Sequence, residues 1–490
     1  MGVNQSKVKA IYLPAQSGKT KKMNIRMIQD KSAEELFGTG SVNFIISSNN
    51  VVLVEQTKKR VQTDLQQVFI GEVYSWRSGK KDEHGKCEKN ASPKELAFDI
   101  ITDDIDTVVM CANGIRIKHL SETIQELEKC SVFLKKINIW IDEADASIKL
   151  WQKYEDIVGC AKVQHVTFVS ATFKSIFKRY GTLNVIGYDQ THPECYRCFE
   201  DCQKVEVSFV GTTIEYVKHV VTTHDLAKPG VRAFIPGDIT ISSHNDIALF
   251  LQEQGFVVVI MNGERKEILL DGRRINLSPY ISSDEELNLH LAKLYHENHW
   301  EIKPFAITGH SCVSRGITFQ SYQFRFTHGI IPPITEASSA YQVTARMFGN
   351  IGDDTYVPPT IYTTPSMMSK VKKQESCAIH IAKIIADSGE NEAEVGEEDV
   401  NYAMNYASYL IRRHQVFDTQ EEACTFIKTK FGKRVHKTDT APTSLLVDGH
   451  NPPLEKILSR WWGIDLKHPH RLLPTLEEKW CVYWNEPKAE

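Results

Sequence analysis

Residues 12–22 read YLPAQSGKTKK, and the interpretation of the whole chain turns on them. A loop that cradles nucleotide phosphates needs a strand before it, a helix after it and backbone N–H groups turned inward. It also needs a lysine for the β- and γ-phosphates and a hydroxyl for Mg²⁺. Residues 8–13 (VKAIYL) are apolar enough for a buried strand, and KTKKMNIRMIQ from Lys19 onward can wind as a helix. The N-terminal dipole of that helix favours an anion. Gln16, Ser17, Gly18, Lys19 and Thr20 are therefore candidates for binding ATP and Mg²⁺. The first glycine of G-x-x-x-x-G-K-[ST] would fall at position 13, where the chain has Leu13. Taken alone, the tetrapeptide is equally compatible with a turn that happens to spell the motif.

The surroundings decide between these readings. At 490 residues the chain exceeds one ordinary core, and two to four domains are expected. Hydrophobic residues at 41% and charged residues at 24% fit a soluble globular protein. No apolar run approaches the ~20 residues of a membrane span, and the first residues lack the apolar core of a secretory signal. Eleven scattered cysteines suggest reduced thiols and a cytoplasmic setting. With a net charge of −4, a nucleic-acid partner has to be met by a local basic surface.

Apolar runs at residues 42–47, 106–112, 137–145 and 163–172 read as buried strands, with helical spacing between them. That alternation predicts a parallel sheet with helices on both faces. It repeats at residues 231–237, 255–263, 303–309, 324–331 and 359–364. The expected organisation is a first α/β lobe over 1–190, a second over 205–365, and a mainly helical or mixed appendage over 366–490. The polar stretch 77–94 reads as an exposed loop. The acidic stretch 388–399 reads as a solvated linker or a loose helix end.

Asp142 and Glu143 leave the apolar strand INIWI, a costly place for two acids unless metal or water satisfies them. In phosphate-loop enzymes one such carboxylate holds Mg²⁺, usually through water, and the next orients the attacking water. Ser170-Ala171-Thr172 closes a further strand. Ligands of doubly wound sheets gather at the carboxyl ends of strands, where all three motifs are predicted.

AQSGKT, IDEAD and VSATF, in this order and spacing, resemble motifs I, II and III of superfamily 2 helicases. The second half extends the likeness. Residues 233–263 resemble the motif IV region, ITGHSCVSRGITFQ (307–320) resembles motif V, and YQVTARMFGN (341–350) resembles motif VI. The resemblance spans roughly residues 8–365. It implies two tandem RecA-like lobes with ATP and Mg²⁺ between them. Lys19 and Thr20 would hold phosphates and metal, Asp142 would support Mg²⁺, and Glu143 would orient water. Arg346 would be an arginine finger with Gln342 one helical turn before it, and Arg315-Gly316 would bridge toward the nucleotide. Ser170 and Thr172 would couple hydrolysis to movement. Single-stranded or duplex nucleic acid, DNA ahead of RNA, would pass near Asn49, Asn50, Asn113, Arg116, Thr308 and His310. The alternatives are an RNA helicase with the same engine, or a nucleic-acid-stimulated ATPase that remodels a partner.

The chain also departs from the DEAD-box pattern. SSNNVVLVEQT replaces P-T-R-E-L-A, CANGIRI replaces T-P-G-R, and motif VI lacks H-R-x-G-R-x-G-R. SRGITF with RMFGN is similar to phage- and virus-type helicases and to Z1-domain ATPases. His192, Cys195, Cys198 and Cys202 have zinc-like spacing in an atypical order and read as ordinary thiols at the lobe junction. Basic residues interleaved with tryptophans between residues 428 and 471 suggest a second grip on phosphates and bases, or the packing of a small core.

Overall fold

The computed structural model describes residues 5–36, 40–49, 51–65, 72–77, 90–102, 105–187, 196–262, 264–281, 287–309, 319–350, 357–387, 392–406, 410–431, 470–474 and 480–487. The chain divides into two compact units, Met1–Gly396 and Glu397–Glu490.

The predicted apolar runs become strands because nearly every residue in them is buried, as in a sheet covered on both faces. In the first lobe these are β1 (Val8–Tyr12), β2 (Ser41–Ser47), β3 (Glu72–Trp76), β4 (Ile105–Cys111), β5 (Lys136–Asp142), β6 (Val163–Ser170) and β7 (Leu183–Ile186). Their spatial order is β7-β1-β6-β5-β2-β4-β3, and all pair in parallel. The helix Lys19–Leu36 follows β1 directly. The helix Pro93–Ile101 starts inside the stretch expected to be loop. It starts there because Ser92 and Glu95 form a reciprocal capping box with proline in the first turn. Residues 78–89 of that stretch lie outside the described residues.

The next strands are β8 (Tyr196–Arg197), β9 (Gln203–Glu206), β10 (Arg232–Pro236), β11 (Val257–Met261), β12 (Lys266–Leu270), β13 (Arg273–Asn276), β14 (Phe305–Gly309), β15 (His328–Ile330), β16 (Gly349–Asn350) and β17 (Thr360–Thr363). Eight of them form a second sheet in the order β13-β12-β11-β14-β10-β15-β17-β9. Its strands are parallel except for the β11-β12-β13 meander. β8 and β16 pair separately, bringing Tyr196 opposite Asn350. This is the doubly wound, two-sheet RecA-like architecture expected from the sequence.

Two expectations about the C-terminal part are corrected. The helix Pro365–Asp387 leads into β18 (Glu392–Val395), which pairs antiparallel with β7 at the edge of the first sheet. The acidic stretch is thus partly structural. Glu392 accepts from Lys9 Nζ at 2.9 Å, Arg26 at 3.0 Å and Asn184 Nδ2 at 2.6 Å, so its charge is neutralised in place rather than solvated. The break in the chain falls after Gly396, not at 365. Among the described residues of the second unit, β19 (Leu410–Phe417), β20 (His470–Pro474) and β21 (Trp480–Pro487) form an antiparallel sheet in the order β19-β21-β20. The helix Gln420–Phe431 covers it through Ala423, Ile427 and Val482. Its start has a capping box, Thr419 with Glu422. Among its described residues the appendage is mixed, its apolar residues serving a sheet face as well as helices. Residues 432–469, which hold most of the basic-aromatic stretch, lie outside the described residues.

A chain ending at Gly396 should keep the melting temperature of the first unit. One ending at 387 should melt lower by several degrees, because it loses the β18 ladder and three charge-assisted bonds worth on the order of 1 kcal/mol each. Calorimetry of the two truncations checks this.

Candidate nucleotide site

β1, β6 and β5 are neighbours, and their registers bring three motifs to one edge of the sheet. Tyr12 lies opposite Ser170, and Asp142 lies opposite Val169. The phosphate loop leaves β1, the acid pair leaves β5, and Ser170-Ala171-Thr172 leaves β6. Gln16 and Gly18 take positive φ angles of 59° and 84°. The hydroxyl of Ser17 donates to Pro14 O at 2.7 Å, and the helix Lys19–Leu36 begins directly after Gly18. Lys19 is 9% exposed.

Thr20 Oγ1 lies 3.4 Å from Asp142 Oδ2, so hydroxyl and carboxylate converge from two elements as an oxygen-loving Mg²⁺ requires. The Glu143 amide donates to Asp142 Oδ1 at 2.9 Å. Glu143 sits at φ 50°, in the left-handed region, which side chains other than glycine adopt at a cost. Its Oε2 is buried with no protein partner. A buried carboxylate oxygen left open beside a threonine hydroxyl and a lysine suits a metal-and-water cluster. Burial first, and the Glu143 carboxylate second, push Asp142 up to about 6, against the opposing pull of Lys19.

The second lobe reaches into this edge. Gln342, on the helix Ala337–Thr344, donates through Nε2 toward Asp145 Oδ1 at 3.3 Å and Thr172 Oγ1 at 3.3 Å. Asp145 also accepts from Ser170 Oγ at 2.8 Å, and Ser170 Oγ accepts from the Thr172 amide at 3.1 Å. One side chain of the second lobe thus ties together motifs II and III of the first. Gly349, at φ 106°, packs so closely on the phosphate loop that a Cβ there would collide with Gln16. Arg346 lies between these two contacts, 5% exposed, in a short turn whose Arg346 carbonyl accepts from Gln320 Nε2 at 2.7 Å.

Asp145 and Gly349 were not singled out from the sequence. Asp145 is the last letter of IDEAD, and Gly349 stands where a final arginine of motif VI would fall, so both signals lay within the motifs already read. Glu375, Tyr196 and Tyr341 carry no local signal. Glu375 is 3% exposed. Its removal from water is the main cause that pushes its carboxyl up to about 7 from the usual 4.5, with Glu200 and Asp201 adding to it. The folded state therefore holds this proton more tightly than the unfolded chain, and stability falls as pH rises from about 4.5 to about 7. Glu375→Gln removes that penalty. The variant should be more stable than the parent at pH 8, on the order of 3 kcal/mol, and the gain should vanish near pH 4. Urea melts at the two pH values check this.

Two residues expected on the nucleic-acid path, Arg116 and Thr308, are buried. Asn113 and Asn49 join at 3.2 Å near the surface, and Asn113 caps the helix Gly114–Lys129. Arg116 is not free for phosphate: its guanidinium lies 5.6 Å over the Trp76 ring and beside His119, with the side chain buried. Thr308 is wholly buried within β14. A helix-facing arginine and an inward strand position explain both corrections. Asn50, His310, Arg315 and Gly316 lie outside the described residues. So do His192 and Cys195, while Cys198 and Cys202 lie near each other with Cys202 Sγ 3.8 Å from Cys198 O. No group of three or more His, Cys, Asp or Glu among the described residues is placed to hold a metal, and no described helix is long and apolar enough to cross a membrane.

No family model matches the chain, and no curated protein does. Solved structures do. Mss116p lacking its NTE and C-tail, bound to ssRNA and AMP-PNP, superposes with a TM-score of 0.44 at 12% identity, over 78% of this chain and 77% of that one. S. cerevisiae Dbp5 bound to RNA and ADP BeF3 gives 0.45 at 12%, over 78% and 89%. The DEAD-box helicase Mss116 bound to ssRNA and UDP-BeF gives 0.45 at 12%, over 79% and 79%. The likeness is loose, and the functional reading rests on the chain's own residues.

Proposed function

We propose that the first unit is an ATP hydrolase of the superfamily 2 type, which converts closure of its two lobes into work on nucleic acid. The observation that carries the reading is the Gln342 bridge to Asp145 and Thr172. It links Asp145, two residues after the acid pair, and the Ser170–Thr172 turn to the second lobe. ATP would lie on the phosphate loop, its charge met by Lys19 and the amides of residues 17–20. Mg²⁺, held by Thr20 and by Asp142 through water, would supply charge neutralisation at the phosphates. Glu143 orients a water through its open carboxylate oxygen, and burial keeps competing solvent out. Arg346 meets the transferred phosphoryl group from the second lobe. Ser170 and Thr172 carry the state of the acid pair to Gln342, and thus to the second sheet.

Nothing among the described residues favours DNA over RNA, and the DNA preference expected from the sequence is dropped. The solved neighbours are RNA complexes, so RNA is the first substrate to try. ATP turnover should rise with single strands, which such engines grip mainly by the backbone. The test measures steady-state ATPase with single-stranded RNA and DNA of equal length, next to strand displacement on both duplexes. Stimulation with displacement supports a helicase. Stimulation without displacement supports a remodelling ATPase. Turnover that ignores both polymers sinks the nucleic-acid reading.

A further inference from the structure

Ala15 lies just before the left-handed turn of the phosphate loop, and both of its backbone groups are held by tyrosines from beyond the first sheet. Its N–H donates to the Tyr341 hydroxyl at 2.8 Å, and its carbonyl lies 3.3 Å from the Tyr196 hydroxyl. The Tyr196 hydroxyl is also 3.1 Å from Glu375 Oε1, and Glu375 Oε2 accepts from the Phe199 amide at 2.8 Å. Tyr341 comes from the helix Ala337–Thr344, Tyr196 from β8 and Glu375 from the helix Pro365–Asp387. All three are buried.

This loop needs outside support more than a glycine-led one. Leu13 fills the place of the first glycine and is buried in the core beside Met23 and Met27, and Pro14 after it has no N–H to offer. Gln16 is held at φ 59°, a conformation that persists only where the surroundings over-determine it. Ala15 is the residue between these two constraints. The Tyr196 phenol has one proton and two acceptors in reach, Ala15 O and Glu375 Oε1. A proton contributed by Glu375 to the phenolic oxygen frees the phenolic proton for Ala15, and the raised affinity of this buried carboxyl for its proton suits that role.

We infer that Tyr341, Tyr196 and Glu375 are positioning residues: a hydrogen-bond relay from the second lobe that clamps the Ala15 peptide and so shapes the phosphate loop for nucleotide. The inference rests on the phosphate-loop reading above. It gives the second lobe a part in binding ATP, separate from the part of Arg346 in turnover.

The test uses the full chain. Tyr341→Phe and Tyr196→Phe each remove one hydroxyl and keep the ring. Without nucleotide, amide hydrogen exchange over residues 15–18 should speed up by about fivefold or more in Tyr341→Phe, since one net hydrogen bond is worth that factor. KM for ATP should rise about fivefold in the same variant, with kcat within about twofold, because the clamp acts on binding geometry and not on the phosphoryl step. Glu375→Gln keeps an acceptor for Phe199 and a donor for Tyr196 and should retain the parent's KM. Glu375→Leu has neither and should behave like Tyr196→Phe. Unchanged exchange at residues 15–18 in both tyrosine variants overturns the relay. So does a lowered melting temperature with unchanged KM, which would make the cluster structural only. A parent protein that binds no ATP would instead sink the phosphate-loop reading, while the exchange data would still report whether the clamp on Ala15 exists.

Discussion

Arg346→Ala is expected to slow hydrolysis of bound ATP by about 10³-fold or more while leaving ATP affinity nearly intact. The size follows from what a guanidinium does in a desolvated cleft. Charge that develops on the transferred phosphoryl group meets a donor fork already in place, and no water has to reorganise. Arg346 is buried and lies between two residues of the same segment that touch the first lobe. Gln342 reaches Asp145 and Thr172, and Gly349 packs on Gln16. The proposed finger thus comes from a segment anchored to the first lobe on both sides of it. Single-turnover rates and equilibrium binding of a non-hydrolysable analogue separate the two effects. If affinity falls while the rate of bound ATP stays unchanged, Arg346 is a ground-state ligand.

Glu143→Gln should lower turnover by about 10²- to 10⁴-fold, the usual range for losing a positioned acid or base, and should accumulate ATP-bound protein. The carboxylate is buried at the end of β5, its backbone in the left-handed region and one oxygen unpaired. That is an expensive arrangement, and the use proposed for it is to hold and polarise water. An amide has nearly the same shape and cannot accept a proton. Lys19→Ala should act one step earlier and abolish nucleotide binding itself, so the two variants should differ in filter-bound ATP although both are inactive. Equal turnover in the parent and in Glu143→Gln would remove Glu143 from the site.

Much of this site was legible locally. A strand, a tight turn with Gly18, and a helix opening on Lys19 and Thr20 are near-neighbour features, and periodicity and turn chemistry report them. The same holds for two acids at the end of an apolar run; the capping box at Ser92 is equally local, but the polar run before it made the stretch read as loop. These features depend on residues a few positions apart, so a sequence carries them in plain order. The motif order then made each weak local reading support the others.

What the chain could not state locally is which distant residues meet. Tyr341 touches Ala15 across 326 positions, and Glu392 crosses back to Lys9 across 383. An acidic run looks solvated until the strand edge and the cations that receive it are known. Arg116 and Thr308 looked available to nucleic acid because residue type alone says nothing about burial, and packing turned both inward. In the last unit the sheet was not legible, because β19 and β21 pair residues from Leu410–Phe417 with Trp480–Pro487 and leave only short apolar runs in the sequence. Local free-energy preferences thus determined the elements and the chemistry of the phosphate edge. The long-range burial of apolar surface, which orders no residue until its partner arrives, decided the clamp on Ala15, the strand returned to the first sheet and the bridge at Gln342.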